Sequence, residues 1–556
     1  METSSISQKD QNEQLAFSIR ALTNSDEGCL QRFIKRFNAT DRRFFSFLEH
    51  RDFRQLLDPN SFWTVLCVFQ GDEIIGYAHL ERFRQPEKQH VARLGIIVDA
   101  GARQQGVGRR LTLKLLEKAG EMGVEKIWLS VLADNSRAIA LYQSVGFRPE
   151  GIFIDEERDA SGSRDVVSMS FFLSPGTSTE QLAFIPWSRP SVGTQETIAA
   201  LKVLNSGWLT QGRVTEEFER QLSSYLGAKH VVVFNNGTSA LYAAYKRSFR
   251  AGETVIFPTM TFVSTLNAAL AAGIKPVLVD CEPKTVNPDL NQVEALLRKN
   301  PQIRGFVVVD IGGLPCDLKA CSEVAERFGV TLIEDAAQAL GAMTRGDRVG
   351  SFGHQAIFSF HAAKLLTTIE GGAVVTADDR AASELRKLRS HGESFQKKFV
   401  WEDFGLNLRF TDLQAAIGLE QLRKLDGFIR HRVHIASLYR EALSDVFEFQ
   451  EIPAHVDCHP CMLLPAKLRR GERAFLVAAL DAEKIQTRPC WNPLHEQPVF
   501  RDLFNESFPA AEDWGHRGIC LPIFNDILSS DAARVIDVVH GFFQTAKSTH
   551  SSANYL

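Results

Sequence analysis

Thr331-Leu332-Ile333-Glu334-Asp335-Ala336-Ala337-Gln338 reads as a short apolar strand that ends on two carboxylates and gives way to small residues. Residues 231–234, 254–257, 276–279 and 306–309 are similarly short and almost continuously apolar. That is the pattern of strands covered on both faces. Between about 225 and 375 these strands alternate with turns and helical stretches, which predicts a parallel sheet clothed in helices. In such a sheet the carboxyl ends of the strands carry the site, and Asp335 stands at one of them.

Two neighbouring segments give that carboxylate a chemical context. The first strand runs into Asn235-Asn236-Gly237-Thr238-Ser239-Ala240-Leu241, a glycine turn with two hydroxyls at a helix start, which suits a phosphate. Downstream, Ser359-Phe360-His361-Ala362-Ala363-Lys364-Leu365-Leu366-Thr367-Thr368-Ile369-Glu370-Gly371-Gly372 offers the lysine amine that an aldehyde cofactor needs for a Schiff base. A carboxylate that keeps a pyridine nitrogen protonated makes the ring an electron sink. Lysine, carboxylate and phosphate turn together predict pyridoxal 5'-phosphate. On the residues alone Glu334 is an alternative partner for the ring, with Asp335 then capping a helix.

These segments, with Pro258-Thr259-Met260-Thr261-Phe262, resemble the DegT/DnrJ/EryC1/StrS sugar aminotransferases, fold-type I enzymes dependent on pyridoxal phosphate, over nearly all of residues 184–543. The resemblance implies that Lys364 anchors the cofactor and shuttles protons, that Asp335 pairs with the ring nitrogen, and that Gln338 lies beside the ring. It implies that Thr238, Ser239 and Ser359 bind the cofactor phosphate and that Phe262 stacks on the ring, core packing being the other reading of that phenylalanine. Gly405-Leu406-Asn407-Leu408-Arg409 is similar to the segment that reaches a neighbouring subunit's phosphate site, so Asn407 implies a homodimer. Thr210, within Gly207-Trp208-Leu209-Thr210-Gln211-Gly212, and Trp491 and His495, within Trp491-Asn492-Pro493-Leu494-His495, fall in segments that border the sugar-nucleotide pocket in that family. Two positions depart from its pattern: Ile369 stands where glycine is usual, and Gly312 where an aromatic is common. A dehydratase branch has histidine in place of the lysine, so Lys364 favours amino transfer.

Nearer the N-terminus, the apolar stretch 94–98 is followed by Arg103-Gln104-Gln105-Gly106-Val107-Gly108-Arg109-Arg110 and a helix marked by Val107, Leu111, Leu115 and Ala119. Glycines 106 and 108 let backbone amides approach a diphosphate, helped by the helix terminus and the arginines; a plain turn is the simpler alternative. After the strand 127–131 comes Asn135-Ser136-Arg137-Ala138-Ile139-Ala140-Leu141-Tyr142-Gln143-Ser144-Val145-Gly146-Phe147. The ordered pair of segments resembles the GCN5-related N-acetyltransferase superfamily over roughly residues 15–173. That resemblance implies that Arg103, Gln104, Gln105, Gly106, Val107 and Gly108 hold the acetyl-CoA pyrophosphate and that Tyr142 protonates the departing thiolate. Packing beneath Phe147 is the alternative for Tyr142. Glu81 and His90 are the candidates for the base that deprotonates the amine.

Composition bounds the rest. A chain of 556 residues, 44% hydrophobic and 23% charged, has material for several cores. The organisation expected is a disordered start at 1–15, an N-acetyltransferase domain of mixed α/β type at 16–173, a linker at 174–183, the aminotransferase at 184–543 and a tail at 544–556. The aminotransferase divides into a large α/β domain to about 412 and a small α+β domain after it. A net charge of −4 leaves no electrostatic footprint for nucleic acid or anionic membrane. With no span of ~18 apolar residues and no leader pattern, the expected location is cytoplasmic. Nine scattered cysteines read as reduced thiols, Cys458-His459-Pro460-Cys461 included, and no metal is expected.

One activity makes a primary amine and the other consumes one. The expectation is therefore consecutive steps: amino transfer, with glutamate as donor, to a nucleotide-linked keto sugar, then N-acetylation with acetyl-CoA. An acetyltransferase acting on an unrelated amine, or an inactive nucleotide-sugar-binding module, are the alternatives.

Overall fold

The structure, a computed structural model, describes residues 17–37, 62–159, 162–173 and 184–552. The expected disordered start at 1–15 and linker at 174–183 lie outside these residues. The chain forms two compact units, Met1–Glu180 and Gln181–Leu556.

In the first unit a seven-stranded sheet runs in the order Ser18–Arg20, Trp63–Gln70, Glu73–Arg82, Val91–Val98, Lys126–Leu132, Gly162–Phe172, Arg148–Asp159. Every neighbouring pair is antiparallel except Val91–Val98 with Lys126–Leu132, which are parallel. Parallel neighbours need a crossover, and the helix Val107–Glu121 supplies it. Its Val107, Leu111, Leu115 and Ala119 are buried, as their four-residue spacing predicts. On the other face the helix Glu27–Lys35 sets Leu30 and Phe33 against Cys67, Tyr77 and Ile97. Each large side chain so buried contributes about 1.5–3 kcal/mol.

In the second unit the main sheet has the order Lys275–Val279, Thr254–Pro258, Ile303–Val309, Thr331–Asp335, Gln355–Ser359, Gly372–Thr376, His230–Phe234. The strands read from the sequence are all present, extended by one to three residues. The sheet is not wholly parallel, however, because Gly372–Thr376 runs antiparallel to both neighbours. The stretch that joins Ser359 to Gly372 is spent on turns and forms no covering helix, and the strand returns as its neighbour's antiparallel partner.

Helix Asp412–Leu443 then leads to a four-stranded antiparallel sheet of Phe447–Phe449, Pro465–Leu468, Gly518–Cys520 and Arg488–Pro489. Thr411 and Gln414 close a capping box at the start of that helix, and buried Asp412 accepts the amides of Gly212 and Thr215 and the Thr215 hydroxyl. Further along, buried Arg432 donates to Asn525 and to the carbonyls of Cys461, Met462 and Ile523. These bonds fasten the long helix to the small domain. The last helix is Ser529–Ser552, so the chain stays helical beyond residue 543, where a tail was expected. No glycine or proline interrupts 544–552.

Candidate functional site

At the carboxyl edge of the second unit's sheet, the ends of three strands bring the segments read from the sequence together. By strand alternation Glu334 and Asp335 face opposite sides, and Asp335 is the one that feels the charge of Lys364. Asp335 Oδ2 accepts from Thr265 Oγ1 at 2.7 Å, and Thr265 is in turn bonded to Thr261 Oγ1 at 2.9 Å. Its other oxygen accepts the Ala337 amide at 3.2 Å. Burial pushes the Asp335 carboxyl above its ordinary range, while those hydrogen bonds and the Lys364 charge pull it back.

Lys364 is partly exposed by surface area, yet its amine is desolvated. Burial lowers its pKa to about 8, opposed by the charge of Asp335 and assisted by that of Arg488. The amine is therefore half uncharged near pH 8.

Glu334 is fully buried on the opposite side, with Oε2 at 2.9 Å from His354 Nε2. Burial raises Glu334 to about 8 and lowers His354 to about 4, so both are neutral at pH 7. Asp310 is raised as well, by burial and by Glu334, and fastens the following turn by accepting the Cys316 amide at 2.9 Å.

The phosphate turn is built by close approach. Asn236 caps the helix Gly237–Ser248 by accepting the Ser239 amide at 2.8 Å. A Cβ on Gly237 would sit 3.1 Å from that of Ser359, and one on Gly372 would sit 2.7 Å from the Asn236 carbonyl. Glycine at both positions leaves a cradle between the helix start and Ser359, flanked by Thr238, whose hydroxyl bonds Ser264 at 2.9 Å. Cradle, carboxylate and desolvated amine are the features a pyridine aldehyde phosphate requires, so the residues fit pyridoxal phosphate.

Phe262 is half exposed, with its ring centroid 5.6 Å from that of Trp491. Gln338 is buried and accepts the Gly312 amide at 3.0 Å, which steadies the adjoining loop. His495 is held at both ring nitrogens, by Thr259 Oγ1 at 2.8 Å and Glu512 Oε1 at 3.2 Å, so it pins its segment to a strand end. Thr210 is exposed, its carbonyl accepting the Asp412 amide. Asn407 is exposed and bridges to Ser390, while the next carbonyl, of Leu408, accepts the Asn235 amide at 3.0 Å.

Both departures from the expected motifs have a backbone meaning. Ile369 has φ +73° and Gly312 φ +71°. Glycine suits the second, where a Cβ would also meet Gln450 at 2.7 Å; a β-branched residue at the first is strained. Sequence reading missed Arg488, which lies 4.0 Å over the Trp491 ring and 5.1 Å over that of Trp187. It is the one arginine or lysine in the stretch from 485 to 495. Thr265 was also missed, and nothing local distinguished it from other helical threonines. The nine cysteines are free thiols, and among the described residues no three potential metal ligands cluster.

In the first unit, the parallel strands Val91–Val98 and Lys126–Leu132 pair only at Val91–Lys126, Ala92–Ile127 and Arg93–Trp128. Beyond that they part, each keeping its outer partner. The fork opens toward the loop 103–108, where Arg103, Gln104, Gln105 and Gly106 are exposed and Val107 is buried. Gly106 has φ +77° and precedes the first helical residue. Gly108 serves packing as well, since a Cβ there would be 3.0 Å from Leu141, on the helix carrying Tyr142. Arg103 Nε turns back to the Val98 carbonyl at 3.1 Å. Tyr142 is buried 5.7 Å from the Phe147 ring, and burial raises its phenol so that it stays protonated. Glu81 lies in register with Arg93 near the closed end of the fork, and His90 is exposed just before the strand.

The second unit's fold and strand-edge site define a pyridoxal-phosphate-dependent transferase. The chain belongs to the DegT/DnrJ/EryC1/StrS aminotransferase family, whose model matches residues 190–540, and it carries an acetyltransferase (GNAT) family domain at residues 30–147. Members of the first family depend on pyridoxal phosphate, and GNAT domains use acetyl-CoA. A GDP-perosamine synthase from Caulobacter vibrioides is 34% identical over 354 residues, 62% of this chain and 95% of that protein. Two solved structures are also similar. One is Helicobacter pylori PseC, an aminotransferase involved in the biosynthesis of pseudoaminic acid, at 28% identity and TM-score 0.61, covering 65% of this chain and all of that one. The other is S. venezuelae DesV in complex with a ketimine intermediate, at 32% identity and TM-score 0.60, covering 62% and 94%. Among the described residues no helix is long and apolar enough to cross a membrane.

Proposed function

We propose that the second unit moves an amino group from glutamate to the keto group of a nucleotide-linked sugar, and that the first unit acetylates the new amine with acetyl-CoA. The product is an acetamido sugar for a surface polysaccharide or another glycoconjugate. The observation that carries the amino transfer is the pairing of a desolvated Lys364 amine with buried Asp335 beside the glycine cradle. Relatives named for GDP-perosamine and pseudoaminic acid support the sugar class.

When bound, pyridoxal phosphate supplies a ring that accepts the electrons of a carbanion. Thr238, Ser239 and Ser359 hold its phosphate, Asp335 faces its nitrogen, Phe262 covers it, and Gln338 holds the loop beside it. Lys364 Nζ removes the proton from the donor's α-carbon and later delivers one to the sugar carbon that receives nitrogen. Thr210, Trp491 and His495 border the sugar nucleotide. Asn407 reaches the phosphate site of a second copy, and the exposed Phe395, Phe399, Trp401 and Phe404 support a homodimer through this unit.

In the first unit, Arg103, Gln104, Gln105, Gly106, Val107 and Gly108 hold the pyrophosphate of acetyl-CoA. The neutral amine attacks the thioester carbonyl directly, the carbon–sulfur bond breaks as the nitrogen sheds its proton to Glu81 or His90, and the Tyr142 hydroxyl gives its proton to the departing sulfur.

The test is a coupled assay read by mass. The chain is incubated with glutamate, acetyl-CoA and a panel of nucleotide-linked 3-keto and 4-keto sugars. A product heavier than the amine by one acetyl group is expected; amine without acetamide on every substrate defeats the sequential reading.

A further inference from the structure

At the closed end of the fork, Arg93 and Trp128 form the last register pair before the two parallel strands separate. The Arg93 guanidinium lies 5.5 Å over the Trp128 ring. Phe83 lies within 12° of parallel to Trp128 at 6.5 Å, and the Lys88 amine is 5.5 Å from the Phe83 ring. Two near-parallel rings thus each carry a cation. Both cations are exposed, and neither makes an ion pair with a described carboxylate.

Position along the strand gives this cluster its meaning. Val98, where the fork opens toward loop 103–108, is five residues from Arg93, roughly 16 Å of extended chain. A thioester whose pyrophosphate rests on that loop and whose arm lies in the fork presents its carbonyl near the closed end. The acceptor amine must then arrive from the side of Arg93 and Trp128. Aromatic faces stack on bases, and guanidinium and ammonium groups bind phosphate oxygens.

We infer that the acetyl acceptor is recognised as a nucleotide conjugate, with Phe83 and Trp128 against its base and Arg93 and Lys88 against its diphosphate. This rests on the proposed acetylation of an amino sugar and adds that the nucleotide is still attached when the amine is acetylated. A bare amino sugar or a peptide amine offers no comparable combination of flat ring and diphosphate.

The test follows thiol release by the full-length chain supplied with acetyl-CoA and a panel of GDP-, UDP- and dTDP-linked amino sugars. Each acceptor is used intact and after phosphodiesterase cleavage to its sugar phosphate. An intact acceptor should be preferred in kcat/KM by about tenfold or more, the scale of one base stacked on an aromatic ring. In Trp128→Leu and Arg93→Gln that preference should fall toward one, mainly through KM of the intact acceptor. Arg93→Gln changes only an exposed side chain, and amino transfer by the same sample reports its folding. Equal use of intact and cleaved acceptors, or a preference untouched by both variants, overturns the inference while leaving acetylation standing. No acetylation of any amino sugar in either form overturns both.

Discussion

The hydroxyl of Thr265 donates to the carboxylate of Asp335 at 2.7 Å and is the nearest polar support of that buried acid. A hydrogen bond to a charged group is worth about 1.5–3 kcal/mol. Thr265→Val should therefore lower kcat for amino transfer about tenfold or more. The bond favours the ionised form, so its loss raises the Asp335 pKa, and the acid limb of the kcat/KM profile should move to higher pH. Asp335→Asn should lose more activity at every pH.

Lys364 supplies a second pH signature. Only the uncharged amine attacks an aldehyde, and burial brings this one to about 8. The rate at which cofactor-free protein takes up pyridoxal phosphate, followed by the absorbance of the lysine-bound form, should rise with pH through about 8 and then level. A rise that continues toward pH 10 would place the amine in water. Lys364→Ala should show no such band.

Glu334 predicts the pH dependence of stability. Its folded pKa, about 8, lies above the unfolded carboxylate value, so the folded state retains a proton that the unfolded state has lost. The contribution is fully present below about pH 4.5, declines as pH rises, and is gone once pH passes about 8. Glu334→Gln keeps the shape and removes the titration. The melting temperature of the native protein should therefore fall relative to that of the variant between pH 5 and pH 8, by several degrees, and the difference should be flat above that.

Ile369 tests the backbone argument. Left-handed backbone costs a non-glycine residue about 1–2 kcal/mol, against about 0.5–1 kcal/mol of extra chain entropy for glycine. Since Ile369 is 58% exposed, it has little packing to lose. Ile369→Gly should raise the denaturant midpoint by the equivalent of about 0.5–1 kcal/mol, with no change in the slope of the transition.

Gly106 tests the other unit. Its φ of +77° is unfavourable to any side chain, so Gly106→Val should distort the loop before helix Val107–Glu121. The expected result is a KM for acetyl-CoA raised about tenfold or more, with amino transfer unaltered because Lys364 and Asp335 belong to a different compact unit.

What the sequence showed depended on how local the determinant was. The five buried parallel strands were legible because burial on both faces writes apolar residues at every position. Lys364, Asp335 and the glycine turn were legible because each lies at a strand end in a recognisable segment. The reversal of Gly372–Thr376 was not, since its direction depends on the preceding stretch folding into turns rather than a covering helix. Glu334 and Asp335 were interchangeable until the pleat assigned them to opposite sides. Arg488 and Thr265 act through partners 124 and 70 residues away, on Lys364 and Asp335, and distance of that kind leaves no mark in a local pattern.

The placement of two tryptophans has a practical consequence. Of the seven in the chain, Trp128 stands at the fork of the first unit and Trp491 beside Phe262 in the second. Each site thus contains an intrinsic fluorophore of its own. Replacing each in turn by phenylalanine removes that residue's share of the emission of all seven, so the part of a ligand-induced change that disappears with Trp128 or with Trp491 assigns it to one unit or the other, without any attached dye.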